Sequence, residues 1–256
     1  MPISAFHRIP WIFFDLDDTL WSFAHNSLES LIYIYKTYPE FRNSFPSSRE
    51  FIDMYHYYNS MLWERYNRGE ISTDFLRPER WRQTLVNCGF RNATENYCRQ
   101  IDSDYLDHLA NLPNVIKEAD GILNRLSKDF MLAVISNGFA DTQYKKLKSS
   151  GLEKYITRTI ISDEIGVGKP NPCIFDYAIE ETGATGPRLM IGDNFNTDVL
   201  GALNAGWYVI WLNSKKLTYS LDGLKAIYPE IDFSHLLAIV TSLEEIEPPI
   251  RNFLDY

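Results

Sequence analysis

From Met131 onward the chain alternates short apolar runs with helix signals, and that alternation limits the possible folds more than any other feature of the sequence. Met131 to Ile135 is an apolar run followed by Ser136-Asn137-Gly138, then a helix that Asp141 can cap and Gly151 can close. Thr159 to Ile161 reads as the next strand. Asn171 and Pro172 read as the cap and first residue of a helix that runs to Thr182 and stops at Gly183. Leu189 to Ile191, then Thr197 to Ala205 with Gly206, then Tyr208 to Leu212 repeat the logic. Strands alternating with helices predict an α/β fold, a doubly wound parallel sheet with helices on both faces. An earlier apolar run, Ile9 to Phe14, supplies a further buried strand that ends at Asp15.

Residues from about Trp21 to His108 have no comparable β run and read as helical. Phe51, Met54, Tyr55, Tyr58, Leu62 and Tyr66 fall three or four apart and form one stripe of an amphipathic helix. The expected organisation is a core of residues 1–21 and 109–256, interrupted by an inserted α-helical cap domain over 22–108. The chain re-enters the core near Leu112-Pro113-Asn114.

Composition excludes several functions. A chain that is 45% hydrophobic and 23% charged is a soluble globular protein. The Ile9 to Phe14 run is far shorter than the ~20 residues of a membrane span, so no membrane partner and a cytoplasmic location are expected. Cys88, Cys98 and Cys173 are odd in number and fit no metal-ligand spacing, which argues against a disulfide framework or a zinc site. A formal charge of -9, from 25 basic and 34 acidic residues, would repel a nucleic acid polymer. A small anionic substrate would therefore need a local cationic focus. Nothing in the sequence sets the oligomeric state, and a monomer is compatible with it.

Groups able to handle phosphate stand where strands should end. Asp15 emerges from Trp11-Ile12-Phe13-Phe14, where a carboxylate can attack phosphorus in line and form an aspartyl phosphate. Asp17, in a turn two residues on, can protonate the departing oxygen and later take a proton from water. Asp193 ends the run Leu189 to Gly192, and Asp198 lies in the first turn of the following helix. Alone, each is more simply a solvated turn or a helix-cap acid. Together they bring four carboxylates toward one crevice, and two unit charges about 5 Å apart repel by ~3 kcal/mol at an effective dielectric of about 20. A divalent cation answers that cost, and an all-oxygen ligand set favours Mg2+. Lys169, by default a surface loop lysine, becomes in this context the second positive charge. A dication and Lys169 fall one charge short of four carboxylates, and a protonated Asp17 closes the gap. Ser136 and Asn137, before a glycine that permits a tight turn, place a hydroxyl and backbone amides where phosphate oxygens can be gripped. Thr19 can pin the first turn.

These segments, FFDLDDTL, VISNG, GKPNPCIFDYAI and MIGDNFNTDVLGALNAGW, resemble in order the four motifs of the haloacid dehalogenase superfamily of hydrolases. The resemblance covers the amino-terminal strand and most of Val115 to Leu212. It implies a Rossmann-like core and a magnesium-dependent hydrolase of a small phosphorylated metabolite. Asp15 would be nucleophile and metal ligand, and Asp17 the acid/base, binding the metal through its carbonyl. Asp193 would complete the protein ligands and Asp198 would support the metal's water shell, while Ser136, Asn137 and Lys169 hold the phosphoryl group. Ser136 stands where the family often has threonine, and the hydroxyl is kept. WIFFDLDDTLW, ISNGF, IISDEIGVGKPNPCIFDYAIE and WLN are similar to bacterial nucleotide 5'-phosphatases acting on pyrimidine mononucleotides.

The rival readings are a 2-haloacid dehalogenase, a sugar or other metabolite phosphatase, and a catalytically silent interaction protein. Asp17 argues against the first, because halide departs without a proton. Tyr33, Tyr35, Tyr57, Tyr58 and Trp63 could stack a base, though at helical spacing such residues more often form cap core. His7, His25, His56, His108 and His235 form no ligand pattern. Glu244, Glu245 and Glu247, ahead of Pro248-Pro249, read as a solvated terminal helix and tail.

Overall fold

The computed structural model describes residues 10–214 and 220–253; His7 and Ile9 lie outside the described residues. Its centre is a sheet of six strands, β1 (Trp11–Phe14), β2 (Met131–Ser136), β3 (Arg158–Ile161), β4 (Arg188–Gly192), β5 (Tyr208–Leu212) and β6 (Leu236–Val240). Every pairing is parallel and the order is β3-β2-β1-β4-β5-β6. Parallel strands buried on both faces read as continuous apolar runs, and Ile12, Phe13 and Phe14 of β1 are all fully buried. The strand order reverses between β1 and β4, the kind of position where open α/β sheets bind ligands beyond their carboxyl ends. Phe14 lies beside Val134 on one side and Ile191 on the other, so the residue after β1 emerges at this reversal. The alternation did not signal β6. Its first four residues are only partly buried, and the pairing with β5 is irregular between Val209 and Ile210.

Local chemistry fixes the helices that follow the strands in sequence. In Pro172–Thr182 the Asn171 carboxamide oxygen accepts the Cys173 N–H at 3.0 Å, Pro172 opens the first turn, and Gly183 closes the helix at φ 62°. Asn171→Ala is expected to lower stability by ~1 kcal/mol in a urea titration, with an unchanged denaturant slope. The helix Ala140–Ser149 departs from expectation, because Asp141 sits inside its first turn and does not cap it. Asp163, just beyond β3, instead accepts the Ala140 N–H at 3.2 Å. The expected helix Thr197 to Ala205 is a π-helical segment Phe195–Leu200 followed by α-helix Gly201–Asn204. Gly201 is needed there, since a Cβ would stand 2.9 Å from Pro170 Cα. Nor is the carboxyl-terminal acidic stretch simply solvated. Leu243, Ile246 and Ile250 are fully buried beside it, and Glu247 pairs with Arg125 and Arg251 at 2.9 Å each.

The chain divides into an α/β unit and a helical unit, the latter comprising Phe23–Asn114 and Asp141–Ser150. In the helical unit α1 (Phe23–Thr37), α2 (Pro39–Ser44), α3 (Ser48–Asn67), α4 (Thr73–Asn87) and α5 (Glu95–Ala110) follow one another. Ser47, Ser72 and Thr94 cap α3, α4 and α5, each hydroxyl accepting the N–H three residues on. The α3 stripe faces inward through Phe51, Tyr55 and Leu62, and with Phe41, Trp81 and Tyr105 makes an aromatic core. Buried Asp102 accepts from Trp81 Nε1 at 2.8 Å, Arg77 Nε at 2.8 Å and Arg80 Nε at 2.9 Å, which meets the rule that a buried charge must be paired. Residues 141–150 pack here because Lys145 reaches Asp107 at 2.7 Å and the Ser149 hydroxyl donates to the Ala110 carbonyl at 2.7 Å. Of the aromatics singled out for stacking, Tyr35 lies on Phe51 and Tyr33 on His108, Tyr58 and Trp63 are half-buried, and Tyr57 is exposed.

Candidate active site

Asp15 continues the β1 ladder by donating its N–H to the Ile191 carbonyl at 2.9 Å, which places it between β2 and β4 at the carboxyl edge. The chain then turns. Asp18 takes a left-handed backbone at φ 60°, a conformation that aspartate tolerates better than most residues, and its N–H donates to the Trp21 carbonyl at 2.7 Å. The turn carries Thr19 inward, fully buried, where its hydroxyl accepts the Asp193 N–H at 3.0 Å. Asp17 is half-buried in this turn, with its backbone bridged to Trp21.

The loop after β4 is built as tightly. Gly192 ends the strand, and a Cβ there would lie 2.3 Å from Asp198 Oδ2, so only glycine leaves room for the Asp198 carboxylate. Asn194 caps the π-helical turn, accepting the Asn196 and Thr197 N–H groups, while its own N–H donates to Asp198 Oδ2 at 3.0 Å. One oxygen each from Asp15, Asp193 and Asp198 lies within 4.8 Å of the others.

Lys169 closes the cluster. It is 1% exposed, and its Nζ donates at 2.7 Å to Asp15 Oδ1, to Asp198 Oδ1 and to the Ile135 carbonyl, which occupies all three of its protons. Asn137 secures the Lys169 backbone reciprocally, accepting its N–H at 2.8 Å and donating to its carbonyl at 2.7 Å. Gly168 permits this, since a Cβ there would stand 2.8 Å from Asn137 Oδ1. Ser136 is buried at the end of β2, and its hydroxyl accepts the Gly138 N–H at 3.3 Å. Asp15, Asp193, Asp198 and Lys169 thus converge, with Asn137 bracing the lysine. The Asp17 carboxylate is not among the three that come together.

Charge explains the tension in this arrangement. Burial pushes the Asp15 carboxyl well above the ordinary carboxylate range; Lys169 pulls it back, and the charges of Asp198 and Asp193 add to the rise. Burial disfavours the Lys169 ammonium too, but Asp15 and Asp198 outweigh that effect and hold it above the ordinary lysine value.

The family model for haloacid dehalogenase-like hydrolases matches residues 9–206. This chain belongs to that family. Among its relatives, the pyrimidine 5'-nucleotidase YjjG of Escherichia coli is 32% identical over 210 residues, spanning 80% of this chain and 86% of YjjG. The HAD-hydrolase YfnB of Bacillus subtilis, solved with magnesium bound, superposes with a TM-score of 0.77 at 24% identity, covering 97% of this chain and all of that one. An L-2-haloacid dehalogenase of Xanthobacter autotrophicus shares the fold at a TM-score of 0.68 and 18% identity, over 95% of this chain and 99% of its own.

The donor set of this haloacid dehalogenase-like hydrolase fits a hard dication. Three buried or half-buried carboxylates approach one another while Lys169 pairs with only two of them, Asp15 and Asp198; the approaching atoms are all oxygen, and Asp15 carries the repulsion that a cation relieves. Two supports of the site escaped the sequence reading. Trp211 donates its indole N–H to the Asp193 carbonyl at 3.0 Å, and Ile135 lends its carbonyl to Lys169. Strand order was the missing information, because Gly192 pairs with Trp211 across β4 and β5.

Proposed function

We propose that this hydrolase is a magnesium-dependent phosphatase of small phosphomonoesters that works through an aspartyl-phosphate intermediate. The observation that carries the reading is the convergence of Asp15, Asp193 and Asp198 on one point, with Lys169 bridging the first and last. A carboxylate nucleophile acting on carbon would not need so concentrated a negative site. Asp15 attacks phosphorus, a new P–O bond forms, and the bond to the leaving oxygen breaks while Asp17 gives that oxygen its proton. Asp17 then takes a proton from water, which attacks the same phosphorus and releases inorganic phosphate with Asp15 restored. Asp15, Asp193 and the Asp17 carbonyl would hold the magnesium ion, and Asp198 would order its water. When bound, the ion supplies charge neutralisation that lets the anionic substrate approach and stabilises the developing charge. The Ser136 hydroxyl and the amides after it would receive phosphoryl oxygens. Lys169 would serve that group through its charge, since its protons are already engaged.

The YjjG relationship favours a pyrimidine nucleoside 5'-monophosphate as substrate. Three free cysteines suit a reducing cytoplasm, and no helix among the described residues is long and apolar enough to cross a membrane. The test is a screen of nucleoside 5'-monophosphates, sugar phosphates and 2-haloacids, each with magnesium and with chelator. Magnesium-dependent phosphate release, highest with pyrimidine nucleotides, is the expected result. Preference for sugar phosphates would overturn the substrate but keep the reaction, whereas halide release in chelator would overturn the reaction.

A further inference from the structure

We propose that Trp211 is a positioning residue for Asp193 and, through one peptide group, for Asp198. This rests on the reading of the acidic cluster as a magnesium site. Trp211 is 1% exposed on β5, beside Gly192 of β4, and its indole N–H donates to the Asp193 carbonyl at 3.0 Å. That carbonyl belongs to the peptide joining Asp193 to Asn194, whose N–H donates to Asp198 Oδ2 at 3.0 Å. The plane is therefore held at both ends, by tryptophan at its oxygen and by Asp198 at its nitrogen. On the preceding side, Thr19 accepts the Asp193 N–H at 3.0 Å.

A peptide plane is rigid, so its orientation sets the position of the proton offered to Asp198 and, with the preceding peptide held by Thr19, restricts the Asp193 backbone torsions that aim its side chain. Without the indole donor the plane loses one of its two anchors and can rotate, and both acids lose their fixed separation. Outer hydrogen bonds of this kind orient metal ligands, and their removal typically weakens metal binding about 10- to 100-fold. The Phe195 ring packs on Trp211 with centroids 4.8 Å apart, so packing and hydrogen bonding can be separated by choice of variant.

Trp211→Phe keeps an aromatic ring and removes the N–H. By calorimetric titration of the purified protein with magnesium chloride, its dissociation constant is expected to rise about 10- to 100-fold. Its kcat is expected to recover at saturating magnesium, with KM for the phosphomonoester changed less than threefold. Phe195→Leu retains the N–H and is expected to lower the melting temperature without moving magnesium affinity. If Trp211→Phe fails to fold, benzothienylalanine at position 211 replaces only the N–H by sulfur and is measured in the same way. Affinity within twofold of wild type in either position-211 variant, or an equal loss in Phe195→Leu, would overturn the inference. Wild type that binds no magnesium at millimolar concentration would defeat the cation reading itself, whereas normal wild-type binding beside an unaffected variant defeats only the role of Trp211.

Discussion

Asp15→Asn is expected to remove phosphomonoester turnover by a factor on the order of 10⁴ or more while leaving the fold intact. The amide cannot act as the nucleophile, but it fills the same volume between β2 and β4, and the backbone bond to Ile191 is untouched. Lys169 keeps Asp198 and the Ile135 carbonyl, and the carboxamide oxygen that replaces the Asp15 carboxylate can still accept its third proton. The same substitution carries a pH signature that a simple loss of activity would not. The Asp15 carboxyl is raised in the folded state, chiefly by burial. A raised carboxyl binds its proton more tightly folded than unfolded, so the stability it contributes is fully present below the unfolded pKa and is lost as pH rises through the folded value. In chelator, wild type should therefore lose stability relative to Asp15→Asn as pH rises from about 4, and magnesium should cancel the difference. Melting temperatures of the two proteins across that range, with and without magnesium, measure both effects. Full phosphatase activity in the variant would eliminate Asp15 as nucleophile, and a pH-independent difference in chelator would show that its charge is not under strain.

What could be read from the sequence, and what could not, follows the range of the interactions. Asn171, Pro172 and Gly183 act within one helix, and all three stand in the structure as their chemistry requires. The runs that became β2, β4 and β5 are apolar on both faces, so no periodicity was needed to find them. β6 escaped because its partial burial depends on β5, a neighbour that the local sequence does not name. Asp141 looked like a cap, but Asp163, brought close only by the β2–β3 pairing, takes the Ala140 N–H. In the candidate site no acid stands out alone, since each has a simple use in a turn or cap; it is the order and combination of the segments that single out Asp15, Asp193, Asp198 and Lys169, and the structure brings those four together. The partners that immobilise them could not. Trp211 reads as one more apolar strand residue until Gly192 is known to lie beside it, and Ile135 contributes only a backbone carbonyl.

The lysine shows how much of the site's stability is electrostatic. Lys169→Met keeps most of the buried stem and removes the ammonium, leaving Asp15 and the fully buried Asp198 facing each other with no cation between them. Breaking a buried ion pair from one side costs ~3–5 kcal/mol, because the remaining charge keeps its desolvation penalty without its partner. We expect a loss of that size in chelator at neutral pH, and a fall in kcat of about 10²–10³-fold, the effect of deleting one electrostatic stabiliser of the transition state. Lys169 pulls the Asp15 pKa down, so its removal raises the folded value further. By the linkage already applied to Asp15, the deficit should then shrink as pH falls, since a protonated carboxyl no longer needs the cation. Magnesium should restore part of the lost stability by binding only the folded state. Urea titrations at two pH values, with and without magnesium, separate these contributions. A variant as stable as wild type at neutral pH in chelator would mean that Asp15 and Asp198 do not depend on Lys169 for neutralisation, and the case for a strongly charged cluster awaiting a dication would fail with it.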